Sequence, residues 1–350
     1  MKQFANYIIS NTKSIKDALE ALNKMEGKDR PTLFVVNDQN AMVGTLTDGD
    51  VRRGLLGGKN LNDSLQEIMF RNYRFLQRNK FTLADIDKLR KEEIELIPLL
   101  DDHKKIIRIL DLQDKRSILP VDALIMAGGE GKRLLPLTKD TPKPLLKVGS
   151  KPIIEHNVDR LDAYGIDNIW ISINYLGHQL ESYFSDGSSR GIKINYVKEK
   201  DQLGTLGSVT LVDDFIHDTV LVMNSDLLTT IDLEDFYRCF KEEKADMAVA
   251  SVPYTVNVPY AIMEVEGSQV RSLKEKPTYT YYSNAGIYLI KKSILDKLPK
   301  NKFLNATDLM EQLISDKNKL VYYPILGYWL DIGQHEDYKK AQEDIKHLKL

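Results

Sequence analysis

The sequence is poor in the features that mark extracellular, membrane-bound and nucleic-acid-binding proteins. Its single cysteine, Cys239, excludes an intramolecular disulfide and a cysteine-rich zinc site. No run of about 20 apolar residues could cross a bilayer, and the N-terminal segment lacks the apolar core of a signal peptide. Lys and Arg number 49 against 51 Asp and Glu, so there is no strong positive field to attract nucleic acid or an anionic membrane. We therefore expect a cytoplasmic protein with neither partner.

The chain is long enough for two domains, because it has 350 residues of which 42% are hydrophobic. Its first part contains a weak internal repeat, in which residues 35–43 align with residues 99–107. Each segment is an apolar run, an acidic turn and a second apolar run, the pattern of a β-hairpin. An amphipathic helix is predicted before each hairpin, with Ser14 and Thr82 as N-caps. We predict a pseudo-symmetric domain over residues 1–118.

From residue 119 onward, segments with strand character alternate with segments of helical period. We predict strands at residues 122–126, 168–174, 193–197 and 219–224, and helices at residues 153–164, 176–184, 206–213, 307–315 and 335–347. Such alternation is typical of a mostly parallel sheet with helices on both faces. We therefore predict an α/β domain over residues 119–350, with ligands beyond the carboxyl ends of its strands.

A glycine-rich loop follows the first of these strands. It combines glycines, which let the backbone approach an anion closely, with cations, namely Gly128, Gly129, Gly131, Lys132, Arg133 and Lys143. The loop lacks the third glycine of a dinucleotide fingerprint, and its glycine-to-lysine spacing differs from that of a Walker A loop. An oxidoreductase and a P-loop ATPase are therefore not supported. Taken alone, the loop fits a phosphate site or a plain strand-to-helix connection.

The wider segment resembles a known family. Residues 128–148 read GGEGKRLLPLTKDTPKPLLKV, which is similar to the signature of the sugar-1-phosphate nucleotidyltransferases, such as glucose-1-phosphate thymidylyltransferases and mannose-1-phosphate guanylyltransferases. The resemblance continues to about residue 346 through LGT at 203–205, NSD at 224–226, EKP at 275–277, NAGIY at 284–288 and WLDIG at 329–333. It implies a Rossmann-like domain with a mixed, mostly parallel sheet.

The resemblance also implies roles for individual residues. Arg133 and the loop amides would hold the β- and γ-phosphates of a nucleotide, and Lys143 would reach the α-phosphate. Asp226 and Asp331 would bind Mg²⁺, a hard cation that needs only one or two carboxylates. The other implied substrate contacts are Gly128, Gly129, Gly131 and Gly204 for the nucleotide, and Glu275, Lys276, Asn284 and Gly286 for the sugar phosphate.

A second resemblance lies in the N-terminal domain. Residues 44–51 read GTLTDGDV, which is similar to the nucleotide-binding end of a CBS motif, and CBS motifs occur in pairs of about 60 residues each. It implies that Thr47 and Asp50 contact the phosphate and ribose of an adenine or guanine nucleotide. Residues 108–112 of the second repeat lack the glycine and the hydroxyl, so at most one site would bind normally. The alternative is that both repeats only hold a homo-oligomer together.

The combination of a CBS pair with this transferase resembles bacterial guanylyltransferases that act on glucosamine-1-phosphate or mannose-1-phosphate for surface-glycan or nonulosonic-acid biosynthesis. We therefore favour GTP as the nucleotide and an NDP-sugar and pyrophosphate as products. Two alternatives stay open, a UTP- or dTTP-dependent glucose-1-phosphate-type transferase and a non-catalytic nucleotide sensor. The sequence departs from the family at Lys132, where threonine is common, and at Gln334 and His335, which replace threonine and proline.

Overall fold

The backbone divides after Pro120 into two units, Met1–Pro120 (unit 1) and Val121–Leu350 (unit 2). The computed structural model describes residues 2–25, 31–78 and 80–348. Within these ranges, no helix has both the length and the apolar character needed to pass through a bilayer.

Unit 1 contains two small three-stranded sheets of the same topology. Its strands and helices are β1 Ile8–Ser10, α1 Ile15–Asn23, β2 Thr32–Val36, β3 Met42–Thr47, α2 Asp48–Leu56, β4 Leu76–Gln77, α3 Leu83–Lys91, β5 Leu96–Leu100 and β6 Ile106–Asp111. In each sheet the first strand pairs parallel with the second, and the second pairs antiparallel with the third. Ser14 and Thr82 cap α1 and α3 as expected, each through a capping box.

The two hairpins of unit 1 also share their local detail. Asn37 Oδ1 accepts two backbone amides of its turn, at 3.0 and 2.9 Å. Asp101 Oδ1 accepts two amides of the second turn, at 2.9 and 2.8 Å. The register shifts just before each turn, between Val35 and Val36 and between Leu99 and Leu100. The repeat seen in the sequence is therefore present in the backbone.

Unit 2 is built on a seven-stranded sheet. Its elements are β7 Asp122–Met126, β8 Lys147–Val148, β9 Lys151–Pro152, α4 Ile153–Ala163, β10 Asn168–Ile173, α5 Gly177–Phe184, β11 Lys193–Lys198, β12 Thr219–Asn224, β13 Leu227–Thr229, α6 Leu233–Glu242, β14 Met247–Asn257, β15 Ile262–Glu266, β16 Gln269–Lys274, β17 Thr278–Lys291, α7 Lys292–Leu295, α8 Ala306–Ser315, β18 Leu320–Pro324, β19 Trp329–Asp331 and α9 His335–Asp344.

The order of the main sheet is β11-β10-β7-β12-β17-β14-β18. Four neighbouring pairs are parallel, and the two pairs that involve β17 are antiparallel. The prediction of a mixed, mostly parallel sheet is therefore confirmed. β7 and β12 lie at its centre and are almost entirely buried, so the loops at their carboxyl ends begin from a rigid support.

The predicted helix over residues 206–213 is wrong, because the structure has only a 3₁₀-helix there, Gly207–Leu211. The amides of Leu206 and Gly207 both donate to the carbonyl of Leu304, at 2.9 and 3.1 Å. This tertiary contact fixes the start of the segment against another loop, so a longer α-helix does not form. The C-terminal helix was also expected to reach residue 347, but it ends at Asp344.

A long β-ribbon extends from the main sheet. The outer halves of β14 and β17 pair from Ser251 to Asn257 and from Thr278 to Asn284. β15 and β16 form a hairpin between them, and most residues in this ribbon are exposed. The ribbon contains the EKP motif, at residues 275–277.

Candidate active site

The loops beyond the carboxyl ends of β7, β11 and β12 enclose a cavity of about 530 Å³, which we call the first cavity. Eight of the predicted site residues line it, namely Gly128, Gly129, Gly131, Arg133, Lys143, Gly204, Asp226 and Asp331. The residues therefore come together from positions as far apart in the sequence as Gly128 and Asp331, at the edge where ligands of open α/β sheets bind.

A smaller cavity of about 310 Å³, the second cavity, adjoins the first. Asn284 and Gly286 line it. Thr205, Asn224 and Asp331 line both cavities, so the two spaces share one wall, and Asp331 belongs to it.

The glycine loop needs a glycine at position 131. Its φ is +65°, and a Cβ there would lie 3.0 Å from both the Lys143 and Thr138 side chains. The Thr138 hydroxyl donates to the Gly131 carbonyl at 2.9 Å, which closes the loop on itself. A side chain at this position would strain the backbone and press on Lys143 and Thr138.

Glu130 links the glycine loop to the loop before Gly204. Lys132 Nζ lies 3.0 Å from Glu130 Oε2, and Gln202 Nε2 donates to Glu130 Oε1 at 3.1 Å. Lys132 is thus paired at the rim of the cavity, with 74% of its side chain exposed. Its replacement of the common threonine adds a charge that a neighbouring carboxylate offsets.

The two predicted metal ligands are held beside one another by a short antiparallel ladder. β13 pairs with β19 so that Leu227 is opposite Asp331, and the Ile332 amide donates to the Asp226 carbonyl at 3.0 Å. The Oδ1 atoms of Asp226 and Asp331 are both buried, and neither has a hydrogen-bond partner among the described residues. Two carboxylates with free buried oxygens suit a divalent cation.

The charged groups around Asp331 shift the pKa of its carboxyl group in opposite directions. Burial raises the pKa of its carboxyl group, and the nearby negative charge of Asp226 raises it further. Lys143 and Arg133 act in the opposite direction, yet the pKa remains raised. Lys143 forms an ion pair with Asp226 Oδ2, with only 12% of the lysine side chain exposed. The two cations therefore do not cancel the combined effect of burial and of the neighbouring carboxylate charge on this pKa.

A bulge in β17 shapes the second cavity. The register of β14 and β17 shifts between Val249 and Ser251, opposite Gly286 with its φ of +71°. A Cβ at position 286 would lie 2.6 Å from Asn224 Nδ2, so only glycine allows this approach. Asn284 is fixed at the same bulge, because its Oδ1 accepts the Gly286 amide and its Nδ2 donates to the Tyr288 hydroxyl, both at 2.9 Å.

Comparisons with known proteins agree with this geometry. The family model described as "Nucleotidyl transferase" matches residues 122–347. The chain belongs to the nucleotidyl transferase family. The match begins at the first strand of unit 2, so unit 1 lies outside it.

Relatives of this nucleotidyl transferase include two curated guanylyltransferases. A mannose-1-phosphate guanylyltransferase from Mycobacterium tuberculosis is 32% identical over 233 residues, which cover 64% of each chain. The chain thus spans slightly less than two thirds of that relative. A D-glycero-alpha-D-manno-heptose 1-phosphate guanylyltransferase from Aneurinibacillus thermoaerophilus is 30% identical over 232 residues, or 65% of this chain and 99% of the relative. The crystal structure of HddC from Yersinia pseudotuberculosis is 26% identical, with a TM-score of 0.51 over 64% of this chain and 99% of that one.

Four predicted site residues of the nucleotidyl transferase do not line either cavity. Glu275 and Lys276 are exposed on the ribbon, and Lys276 has a φ of +41°. Thr47 and Asp50 lie together in unit 1, at the start of α2. The Thr47 hydroxyl donates to Asp50 Oδ2 at 2.7 Å and Arg53 pairs with Asp50 Oδ1 at 2.5 Å, so both groups already have local partners.

Glu199 and Phe303 are among the residues of the first cavity that the sequence did not single out. Glu199 directly follows β11, at the sheet edge where ligands were expected, so its position after a predicted strand was an available signal. Its Oε2 accepts the Leu203 amide at 3.2 Å, and burial raises the pKa of its carboxyl group. Phe303 lies in a loop with no strand before it, and no sequence pattern indicated it.

We expect the Asp331→Asn variant to be more stable than the wild type in a chelating buffer. The raised pKa means that the ionised carboxylate is less favourable in the folded state than in the unfolded state. At neutral pH, the uncharged asparagine side chain should therefore raise the midpoint of thermal unfolding by about 2 °C. Differential scanning calorimetry in EDTA measures this difference. Asp201→Asn, at an exposed position, is the matched control and should leave the midpoint unchanged. A lower midpoint for Asp331→Asn would contradict the account of carboxylate repulsion.

Proposed function

We propose that this nucleotidyl transferase moves a nucleoside monophosphate from a nucleoside triphosphate to a sugar-1-phosphate. The observation that carries the proposal is that two adjoining cavities share Asp331 as a lining residue, with a second carboxylate and two cations close to it. One cavity suits a nucleotide and the other a sugar, and the junction lies where their phosphates would meet. The similarity to two guanylyltransferases that are named for hexose and heptose 1-phosphates supports the same reaction class.

The reaction brings two anions together. An oxygen of the sugar phosphate attacks the α-phosphorus, the bond from the α-phosphorus to the bridging oxygen breaks, and pyrophosphate leaves. No covalent protein nucleophile is needed, because positioning and charge neutralisation supply most of the acceleration. Arg133 and the amides of Gly129 to Gly131 would hold the β- and γ-phosphates. Lys143, which is now paired with Asp226, would move to the α-phosphate.

The carboxylate oxygens of Asp226 and Asp331 are the type of ligand that Mg²⁺ prefers. Each residue has a buried Oδ1 atom without a partner among the described residues. Mg²⁺ needs only one or two protein carboxylates, because it keeps several of its waters. When bound, the ion would neutralise phosphate charge at the junction of the cavities.

The sugar would occupy the second cavity. Asn284 Nδ2 keeps one hydrogen for a sugar hydroxyl after its bond to Tyr288, and Gly286 leaves room for close approach. Glu275 and Lys276 could contact the sugar phosphate only after a movement of the ribbon, because they now lie outside both cavities. Glucosamine-1-phosphate and mannose-1-phosphate are the favoured sugars, by analogy with guanylyltransferases.

Glu199 favours guanine among the bases. A carboxylate only accepts hydrogen bonds, and guanine alone presents two adjacent donors, N1–H and N2–H, on its Watson–Crick edge. Uracil and thymine present one N–H between two carbonyl oxygens, which a carboxylate would repel. GTP is therefore favoured over UTP and dTTP.

The first measurement is pyrophosphate release with Mg²⁺, for five nucleoside triphosphates against a panel of hexose and hexosamine 1-phosphates. We expect release with GTP and one sugar phosphate, and a loss of about 100-fold in kcat for Asp226→Asn, because the variant loses one of the two carboxylates that would hold Mg²⁺ at the reacting phosphate. Asp201→Asn is the control at an exposed site. Nucleotide binding without release for any sugar phosphate would instead support the alternative of a nucleotide sensor.

We expect Glu199→Gln to change the choice of base. Loss of the carboxylate should lower kcat/KM for GTP about 30-fold and raise the relative use of UTP, since an amide can both donate and accept. Steady-state kinetics with both nucleotides give the ratio. Glu130→Gln is the matched control, because Glu130 lines the same cavity but is paired with Lys132 and Gln202. Equal effects of the two substitutions on both nucleotides would refute base recognition by Glu199.

For unit 1 we propose a CBS-like pair that binds an adenine or guanine nucleotide near Thr47 and Asp50 and supports a homo-oligomer. The shared topology of its two sheets supports a pair of repeats. A nucleotide bound at this site would have to displace the hydrogen bond that Thr47 donates to Asp50 and the ion pair between Arg53 and Asp50. Calorimetry on the full chain should therefore show a binding event for such a nucleotide in addition to GTP binding at the catalytic site, and Asp50→Ala should lose only that additional event. Light scattering that gives only a 40.1 kDa species would reject the oligomer.

A further inference from the structure

Phe303 is an exposed aromatic side chain at the first cavity. It lines that cavity, and 64% of its surface is accessible. No aromatic or cation–π contact of Phe303 occurs within the described ranges. An exposed ring of this size leaves apolar area in water that a flat ligand could cover.

The backbone beside Phe303 is firmly held even though the ring is free. The Leu304 amide donates to the Leu203 carbonyl at 2.9 Å, and the Leu304 carbonyl accepts the amides of Leu206 and Gly207. The Asn305 side chain also accepts the Thr205 amide, at 3.4 Å. The loop that carries Phe303 is therefore fastened to residues 203–207, and its Cα position is set before any ligand arrives.

The loop that carries Phe303 is joined by hydrogen bonds to the segment next to Glu199. Leu203 contacts Glu199 through its amide and Leu304 through its carbonyl, so Phe303 and Glu199 flank the same short segment. The cation Lys143 belongs to the glycine loop. Its partner Asp226 directly precedes β13, and Asp331 ends β19, so these charged groups come from other elements than Phe303. A base whose edge faces Glu199 would thus have its flat face available to a neighbouring ring.

We propose that Phe303 stacks on the nucleotide base and gives the first cavity its preference for purines. This rests on the proposed function only in that the first cavity binds the nucleoside triphosphate. Stacking depends on the area of the two π-faces, so a purine gains more than a pyrimidine. Phe303 then selects a bicyclic base, and Glu199 distinguishes guanine from adenine.

The kinetic test compares Phe303→Leu, which keeps an apolar side chain of similar size, with Phe303→Tyr, which keeps the ring. We expect KM for GTP to rise about tenfold in Phe303→Leu with kcat nearly unchanged, and to change less than about twofold in Phe303→Tyr. KM for UTP should move less than KM for GTP in Phe303→Leu. Ile314→Ala is the matched control, since Ile314 is also 64% exposed but lies outside both cavities. An unchanged KM for GTP in Phe303→Leu overturns the proposal.

A binding test separates this proposal from the proposed function. Phe303→Trp places a fluorophore at the stacking position, and GTP with Mg²⁺ but no sugar phosphate should quench its emission beyond the change seen in the wild type, which has two other tryptophans. Quenching without pyrophosphate release for any sugar phosphate would refute the transferase and keep the stacking. Turnover without quenching, and with an unchanged KM in Phe303→Leu, would refute the stacking and keep the transferase. A wild type that binds no nucleotide would overturn both.

Discussion

The repulsion between the carboxylates of Asp226 and Asp331 is the constraint around which unit 2 is arranged. A chain does not place two acidic groups side by side in a partly buried position without a rigid support. Here the support is the β13–β19 ladder, which joins the end of the central strand β12 to the segment before α9. Lys143 and Arg133 come from the glycine loop on the opposite side and offset part of the charge. A polyvalent cation and phosphate groups would complete the balance.

Much of this arrangement could be predicted because its signals are local. The glycine loop, the strand before it and the aspartate after β12 are short patterns that keep their structure in different surroundings. The prediction for residues 206–213 was wrong because a distant carbonyl, that of Leu304, fixes the segment. Phe303 was missed for the same reason, because the hydrogen bonds of its neighbour Leu304 to residues 203–207 are what bring its loop to the cavity. Contacts between distant loops leave no periodic trace in a sequence.

Unit 1 illustrates a different limit of sequence patterns. A threonine followed three residues later by an aspartate is a capping box, and Thr47 and Asp50 form one at the start of α2. The same two residue types at the same spacing can also hold a ribose and a phosphate. A helix start and a ligand site therefore share one sequence signature, and the Arg53 side chain competes with any ligand for Asp50.

The bulge at Gly286 has a mechanical consequence for the ribbon. β17 is buried from Ala285 to Ile290 and exposed over most of the rest, and the bulge lies at this boundary. The strand from Asn284 back to Thr278 is about 20 Å long at roughly 3.3 Å per residue. A rotation of about 10° at the bulge would therefore carry the outer end through about 3 Å. The pivot of such a rotation would lie in the wall of the second cavity, and Lys276, two residues before the outer end of β17, would move with the strand.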